Sequence, residues 1–192
     1  MQEETTRRSN ADRRRETRSA LLAAARECFV SKGFAGTGTP ELVAAAGMTR
    51  GALYHHFADK TDLFRAVLRA EAEAVAAAIR AAAPPGSDIV EALLSGADAY
   101  FAAMKAPGRA RLLLVEGPAV LGPSEIAVLD DETGGATLRE ALTALNIAAP
   151  VPETARMLSA MFDSAALAIA DGADPALYRT ALGHLLTALA RQ

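Results

Sequence analysis

Residues 37–64, Thr-Gly-Thr-Pro-Glu-Leu-Val-Ala-Ala-Ala-Gly-Met-Thr-Arg-Gly-Ala-Leu-Tyr-His-His-Phe-Ala-Asp-Lys-Thr-Asp-Leu-Phe, constrain the fold more than the rest of the chain. They read as two short helices joined by a tight turn, followed by the opening of a third. Thr39 is placed to N-cap the first helix, with Pro40 at N1, where a missing N–H costs little. Leu42, Val43 and Ala46 form its inner face. Gly47 supplies the turn, because glycine reaches positive φ without a Cβ penalty. Met48 fills the gap between the helices. Thr49 caps the second helix, which buries Leu53 and Phe57 and turns Arg50, Gly51, Tyr54 and His55 outward. A short helix with small residues at its start and Arg, Tyr and His on its free face fits the DNA major groove.

The remainder reads as helical too. Of 192 residues, 51% are hydrophobic, with Ala and Leu abundant and few β-branched runs, which favours helices over strands. A first helix is expected over Asp12–Lys32, burying Leu21, Leu22, Ala25, Cys28 and Phe29 at helical spacing. Gly33 ends it and Phe34 packs back. Cys28 lies on that apolar stripe and reads as core. Lys60-Thr61-Asp62 opens a long helix from about Thr61 to Ala83, stopped by Pro84-Pro85-Gly86-Ser87. Helices are then expected over 88–105, 108–116, 124–130, 136–145, 152–170 and 174–191, with a turn-rich stretch at 117–123 and a break at Gly134-Gly135. Asp174-Pro175 forms an N-cap and N1 pair. The fold class is all-α, with about nine helices. The expected organisation is a basic arm over 1–12, a helix-turn-helix domain over 13–64 and a larger helical domain over 65–192.

Net charge hides an asymmetry. Residues 1–65 carry 11 Lys+Arg and 8 Asp+Glu, a balance of +3, whereas residues 66–192 carry 9 and 15, a balance of −6. The positive half is the half with the helix-turn-helix, so local charge suits DNA although the whole chain is acidic. The arm reads as a solvated tail or as arginines reaching phosphates or a minor groove. One cysteine excludes an intrachain disulfide framework and suits a reducing cytoplasm. No apolar run approaches the roughly 20 residues that span a bilayer, and the polar N-terminus lacks a signal-peptide core, so no membrane partner is expected.

At Ala46-Gly47-Met48-Thr49, Gly51-Ala52-Leu53-Tyr54-His55-His56-Phe57 and Lys60 the chain resembles the DNA-binding module of the TetR family of bacterial repressors, in order and spacing. The resemblance covers roughly residues 17–68. A weaker echo, Leu114-Val115-Glu116-Gly117-Pro118-Ala119-Val120-Leu121-Gly122, resembles a segment from the C-terminal domain of one TetR subgroup. The resemblance implies a homodimer on double-stranded DNA, a small-molecule ligand in the larger domain and a place on the bacterial nucleoid. It names Thr49, Arg50, Gly51, Tyr54 and His55 as recognition-helix contacts. Arg50 suits guanine, because a guanidinium bridges its two acceptors. Gly51 and Ala52 let backbones approach, and Tyr54 suits phosphate. Lys60, at a helix N-terminus, and Thr37 and Thr39 are further phosphate candidates. Gly38 stands where the family usually has Ser or Thr, and Thr39 is expected to take over that contact.

For the ligand, Tyr100, Phe101, Met104, Leu113, Glu116, Met161, Phe162 and Asp163 are the candidates. They mix aromatic and Met side chains with two acids, and ordinary core is the competing reading for each. For the dimer, the stripe Leu158, Leu167, Leu177, Leu182, Leu185, Leu186 and Leu189 serves a symmetry copy, the intrachain core, or both. His56 reads as packing and His184 as a core or interface histidine. A shared metal at His55-His56 is disfavoured, since adjacent helical residues point about 100° apart. No cofactor or metal is expected. An enzyme is disfavoured because no nucleophile–base pair, Gly-rich phosphate loop or spaced metal cluster is visible, and Asp130-Asp131-Glu132 reads as a solvated acidic run. The function expected is a ligand-released repressor on a palindromic operator; the alternative is a ligand-independent architectural DNA-binding protein.

Overall fold

A computed structural model describes residues 10–82 and 88–190, and it divides into two compact units, Met1–Val67 and Leu68–Gln192. Ten helices and no strand occur among the described residues.

The first unit holds α1 (Asn10–Gly36), α2 (Thr39–Ala45), α3 (Arg50–His56) and the start of α4 (Lys60–Ala82). In α1, Leu21, Ala25, Cys28 and Phe29 are buried, as their spacing predicts. Gly33 adopts φ 71° and kinks the chain. The kink turns Phe34 back so that its ring centroid lies 6.0 Å from that of Phe29 and 5.0 Å from that of Phe64. Burial raises the thiol pKa of Cys28, which fits a packed, inert side chain. Leu42, Leu53, Phe57 and Leu63 complete this core. Gly47, at φ 63°, makes the turn between α2 and α3.

Three details depart from expectation. Helix α1 begins at Asn10, so residues 10–12 of the expected arm are helical, while residues 1–9 lie outside the described residues. Gly38, not Thr39, is the N-cap of α2. Its extended backbone (φ −99°, ψ 154°) lets its carbonyl accept from Glu41 and Leu42 at 3.1 Å each, which places Thr39 inside the first turn. Asp59, passed over in the sequence, caps α4 by accepting from the Asp62 N–H at 2.7 Å.

The second unit contains the rest of α4, then α5 (Ile89–Met104), α6 (109–121), α7 (Pro123–Glu132), α8 (Gly134–Ala144), α9 (Val151–Ala170) and α10 (Pro175–Ala190). Helix α5 is central and packs on α8, α9 and α10. Leu93, Ala97, Phe101 and Met104 from α5 meet Leu142, Leu158, Ala166, Leu182 and Leu186 from those neighbours. Helix α6 is α-helical over Arg109–Arg111, π-helical over Leu112–Glu116 and α-helical again over Gly117–Leu121. The turn-rich reading of residues 117–121 is therefore corrected. Pro118 has no N–H to donate and its ring would crowd the carbonyl of Leu114; the wider π turn absorbs both problems without ending the helix.

Gly134-Gly135 opens α8 and does not separate it from a loop. The Pro84–Ser87 break falls outside the described residues. One buried ion pair was not legible in the sequence: Arg109 Nε donates to Glu71 Oε2 at 2.8 Å while its Nη1 donates to the Ala103 carbonyl at 2.8 Å.

Candidate functional site

Two surfaces and one cavity carry the residues of interest. In the first unit, Thr49 caps α3 as its position demands, its hydroxyl accepting from the Ala52 N–H at 3.2 Å. Thr49, Arg50, Gly51, Tyr54 and His55 are exposed together on one face, whereas Ala52 is half-buried. The Arg50 guanidinium carbon lies 5.4 Å from the Tyr54 ring centroid. Arg50 first and Thr39 second pull the Tyr54 phenol below its usual pKa, which sharpens it as a hydrogen-bond donor. A Cβ added at Gly51 would meet nothing nearer than Thr49 Oγ1 at 3.8 Å. The fold does not need glycine there, and the space it leaves is external.

Two expected phosphate ligands have intramolecular tasks. Thr37 is 1% exposed, and its hydroxyl bonds the Gly33 carbonyl at 2.7 Å, with the Cys28 carbonyl 3.2 Å away. That hydroxyl closes the kink in α1 and is withdrawn from DNA, which corrects the sequence expectation. Lys60 Nζ donates to the carbonyls of Phe34 (2.9 Å) and Thr37 (3.0 Å) and lies 4.0 Å from the Phe34 ring centroid. Two of its three N–H groups are thereby committed to the fold. Arg14 and Arg18, four apart on α1, were not singled out as contacts. The Arg18 guanidinium carbon stands 5.1 Å from the Phe57 ring centroid. Burial first, then the charges of His55, Arg14 and Arg18, hold the half-buried His56 imidazole below its ordinary pKa. His56 is thus a packed neutral ring, as its position on α3 implies.

In the second unit, α5, α7, α8 and α9 enclose a cavity of about 250 Å³ lined by Leu93, Gly96, Ala97, Tyr100, Asp130, Gly134, Thr137, Leu138, Ala141, Ser159, Phe162 and Asp163, with Ile79 and Arg80 from α4. A smaller space of about 70 Å³ adjoins it, lined in part by Met104, Leu113, Leu114 and Leu129, and shares Tyr100, Asp130 and Asp163. The Tyr100 hydroxyl donates to Asp163 Oδ1 at 2.6 Å, and Ser159 Oγ donates to Asp130 Oδ2 at 2.8 Å.

Of the ligand candidates, Tyr100, Phe162 and Asp163 line the main cavity and Met104 and Leu113 the smaller one. Phe101 is core, its ring 6.2 Å from Phe162. Glu116 pairs with Arg111 and lines neither space, and Met161 is exposed on α9. The acidic run is corrected as well. Asp131 and Glu132 pair with Arg139 and Arg69, but Asp130 turns inward. A Cβ on residue 135 would sit 2.9 Å from the Asp130 backbone oxygen and from its Oδ2. The glycine admits this approach, and its N–H donates to the Asp130 carboxylate.

Electrostatics follow from burial. Desolvation, with the Asp130 charge in support and the Tyr100 hydrogen bond in opposition, pushes Asp163 from 3.8 to about 6. Desolvation and the facing Asp163 carboxylate push the Tyr100 phenol far upward, so it stays a donor at every accessible pH. Asp130 is also raised, chiefly by burial. Since the folded chain holds the Asp163 proton more tightly than the unfolded one, stability is present below pH 4 and lost as pH rises through about 6. Asp163→Asn is expected to flatten that decline and to raise the unfolding free energy at pH 7 by on the order of 1–3 kcal/mol. Denaturant titrations at pH 4.5 and pH 7 check it, and equal pH slopes for both proteins would refute it.

The expected dimer stripe divides. Leu158, Leu182 and Leu186 are buried in the intrachain core, and Leu167 and Leu189 pack against it. Leu177 and Leu185 are exposed on α10, and Met157 and Met161 are exposed on α9. An α-helical stripe this wide has two apolar faces, and the sequence alone does not say which one looks inward. His184 is exposed. No group of three metal-type side chains occurs among the described residues, and no helix there is long and apolar enough to cross a membrane.

The chain is similar to known regulators over most of its length. It is 30% identical over 131 residues to the HTH-type transcriptional activator FasR of Mycolicibacterium smegmatis, covering 68% of this chain and 60% of that protein. It is 40% identical over 65 residues to the HTH-type transcriptional repressor AcnR of Corynebacterium glutamicum, covering 34% of this chain and 35% of that one. The chain therefore spans less than two thirds of these relatives. Among solved structures, a TetR-family transcriptional regulator from Pectobacterium atrosepticum matches with a TM-score of 0.70 and 29% identity over 95% of both chains. LfrR of Mycobacterium smegmatis, solved in complex with proflavine, matches with a TM-score of 0.62 and 25% identity, covering 91% of this chain and 96% of that one. The family model for bacterial regulatory proteins of the tetR family matches residues 21–67, and that for the tetracyclin repressor-like C-terminal domain matches residues 90–192, more than half of the chain. The chain belongs to the TetR family of bacterial regulatory proteins.

Proposed function

We propose that the protein is a sequence-specific transcriptional regulator, a repressor that binds a palindromic operator as a homodimer and is released by a small-molecule ligand. The observation that carries this reading is the exposed face of α3. Arg50, Gly51, Tyr54 and His55 are presented there together, while Leu53 and Phe57 anchor the helix from behind. Arg50 reads a base edge, and Tyr54, Thr39 and the third N–H of Lys60 meet phosphates. Arg14 and Arg18 add to the local positive field.

The exposed Leu177, Leu185, Met157 and Met161 supply an apolar face for a second copy, and a two-fold dimer accounts for a palindromic site. The cavity supplies the ligand site, and a ligand that prefers one of two dimer geometries shifts the population between DNA-competent and released states. LfrR, bound to proflavine, is a relative in which a small molecule is held. The cavity argues against a ligand-independent architectural protein. The relatives named are regulators, and we assign the chain no catalytic role; it acts on DNA in the bacterial cytoplasm.

Selection of bound DNA from a random duplex pool tests the core of this reading, with enrichment of a palindrome as the expected result. Arg50→Ala is expected to cost roughly 1–3 kcal/mol of operator binding and to relax specificity at one position per half-site. Gly51→Ala is expected to leave thermal unfolding unchanged yet weaken the same complex, because its Cβ occupies only external space. Wild-type affinity in both variants would refute the assignment of this face to DNA.

A further inference from the structure

The cavity of the second unit has an uneven chemistry. Its walls are mostly apolar and aromatic, from Leu93, Leu138 and the Phe162 and Tyr100 rings, with a few polar groups among them. They include two carboxylates, Asp130 and Asp163, and the hydroxyls of Tyr100, Ser159 and Thr137, of which those of Tyr100 and Ser159 already donate to the carboxylates. Asp163 Oδ1 is engaged by Tyr100, whereas Oδ2 has no protein donor among the described residues and is not sealed off from the space beside it. Neither acid has an ion-pair partner there. Arg80 lines the cavity but is exposed, and Arg139, whose charge lowers Asp130, is committed to Asp131. A largely apolar cavity holding two half-buried acids, neither in an ion pair, is incomplete as a polar structure, because a carboxylate drawn out of water is costly until it meets a positive charge.

We propose that the ligand of this cavity is an organic cation, a protonated amine on a flat apolar body, with its ammonium against Asp163 Oδ2 and the Asp130 carboxylate and its rings against Phe162 and Tyr100. This deepens the ligand-responsive reading above and rests on it. Tyr100 acts as a positioning residue, holding Asp163 Oδ1 so that Oδ2 faces the guest, while Ser159 and the Gly135 N–H hold the Asp130 carboxylate in place. The aromatic rings add a quadrupole that favours a cation further. The ionisable groups facing Asp163 are Tyr100 from α5, Asp130 from α7 and Arg80 from α4; α8 contributes none to the lining. Asp163 titrates at about 6, so affinity for a cation falls as pH drops through that value.

Three probes on one frame decide the charge: 2-naphthylmethylamine, cationic at neutral pH, 2-naphthalenemethanol, neutral, and 2-naphthylacetate, anionic. Calorimetric titration of the DNA-free protein at pH 7.5 is expected to give the amine at least a tenfold advantage over the alcohol and no measurable binding of the acetate. Asp163→Asn is expected to remove most of the amine's advantage over the alcohol, with the alcohol still bound, which shows the cavity intact. Asp130→Asn gives a smaller loss of the same kind. In wild type the advantage of the amine shrinks between pH 7.5 and pH 5; in Asp163→Asn it does not. Equal binding of all three probes, preference for the acetate or alcohol, or an amine affinity indifferent to both substitutions would overturn the proposal. Operator release by the amine is read separately: binding without release would refute the ligand-responsive reading and leave the cation site standing, whereas release without dependence on either acid would do the reverse.

Discussion

Replacing Arg109 with methionine is expected to lower the unfolding free energy by roughly 3–5 kcal/mol, the largest effect we anticipate from a single side chain outside the apolar core. The Arg109 side chain is 15% exposed and that of Glu71 is 9% exposed. Methionine fills similar volume, so the loss is electrostatic. The Glu71 carboxylate is left in a poorly polarisable setting without its guanidinium, and the Ala103 carbonyl loses the donor it has at 2.8 Å. The double substitution Glu71→Met with Arg109→Met is expected to recover most of the loss, since two apolar side chains of matching size need no compensation. Chemical denaturation of the wild type, the two single variants and the double variant closes the cycle. Additive losses in the double variant would show that the pair is not coupled.

Lys60→Met is expected to cost about 2–4 kcal/mol of stability, because it removes two charge-assisted hydrogen bonds and one cation–ring contact. It leaves the carbonyls of Phe34 and Thr37 without the donors they have at 2.9 and 3.0 Å. Below the lowered melting temperature, the slope of log affinity against log salt is expected to fall by about one, from the phosphate contact of the third N–H. Thermal unfolding without DNA and binding across a salt series separate the two effects. Loss of stability with an unchanged slope would assign Lys60 to the fold alone. A changed slope without loss of stability would contradict the geometry of its ammonium.

The same lysine illustrates what was legible. Its position at a helix N-terminus pointed to phosphate, a local inference. That it reaches back across 26 residues to Phe34 depends on the kink at Gly33, which no local pattern specifies. The burial of Thr37 depends on the same kink. Short-range rules succeed where cause and effect lie within a turn or two: Thr49 as cap, Gly47 at positive φ, Leu53 inward and Tyr54 outward, Asp174 bonding the Ala176 N–H at 2.9 Å.

In the second unit the pattern was weaker, because alanine and leucine populate both faces of α9 and α10. Helical periodicity located the helices to within a few residues but left the direction of each face open. Leu158, Leu182 and Leu186 went inward and Leu177 and Leu185 outward because α5 occupies one side of the pair. Asp130 went inward because Gly135 lets its helix end fold closely against the start of the next. Asp163 drew notice as an acid among apolar residues, but its partner Tyr100 lies 63 positions away. The chain by itself determined most of the helices, the caps at Thr49 and Asp174 and the outward face of α3, since these rest on hydrogen bonds and spacings internal to one or two turns. Tertiary structure alone decided which acids are buried, which cations are already spent and where the cavity lies, since each requires side chains from helices distant in sequence to meet.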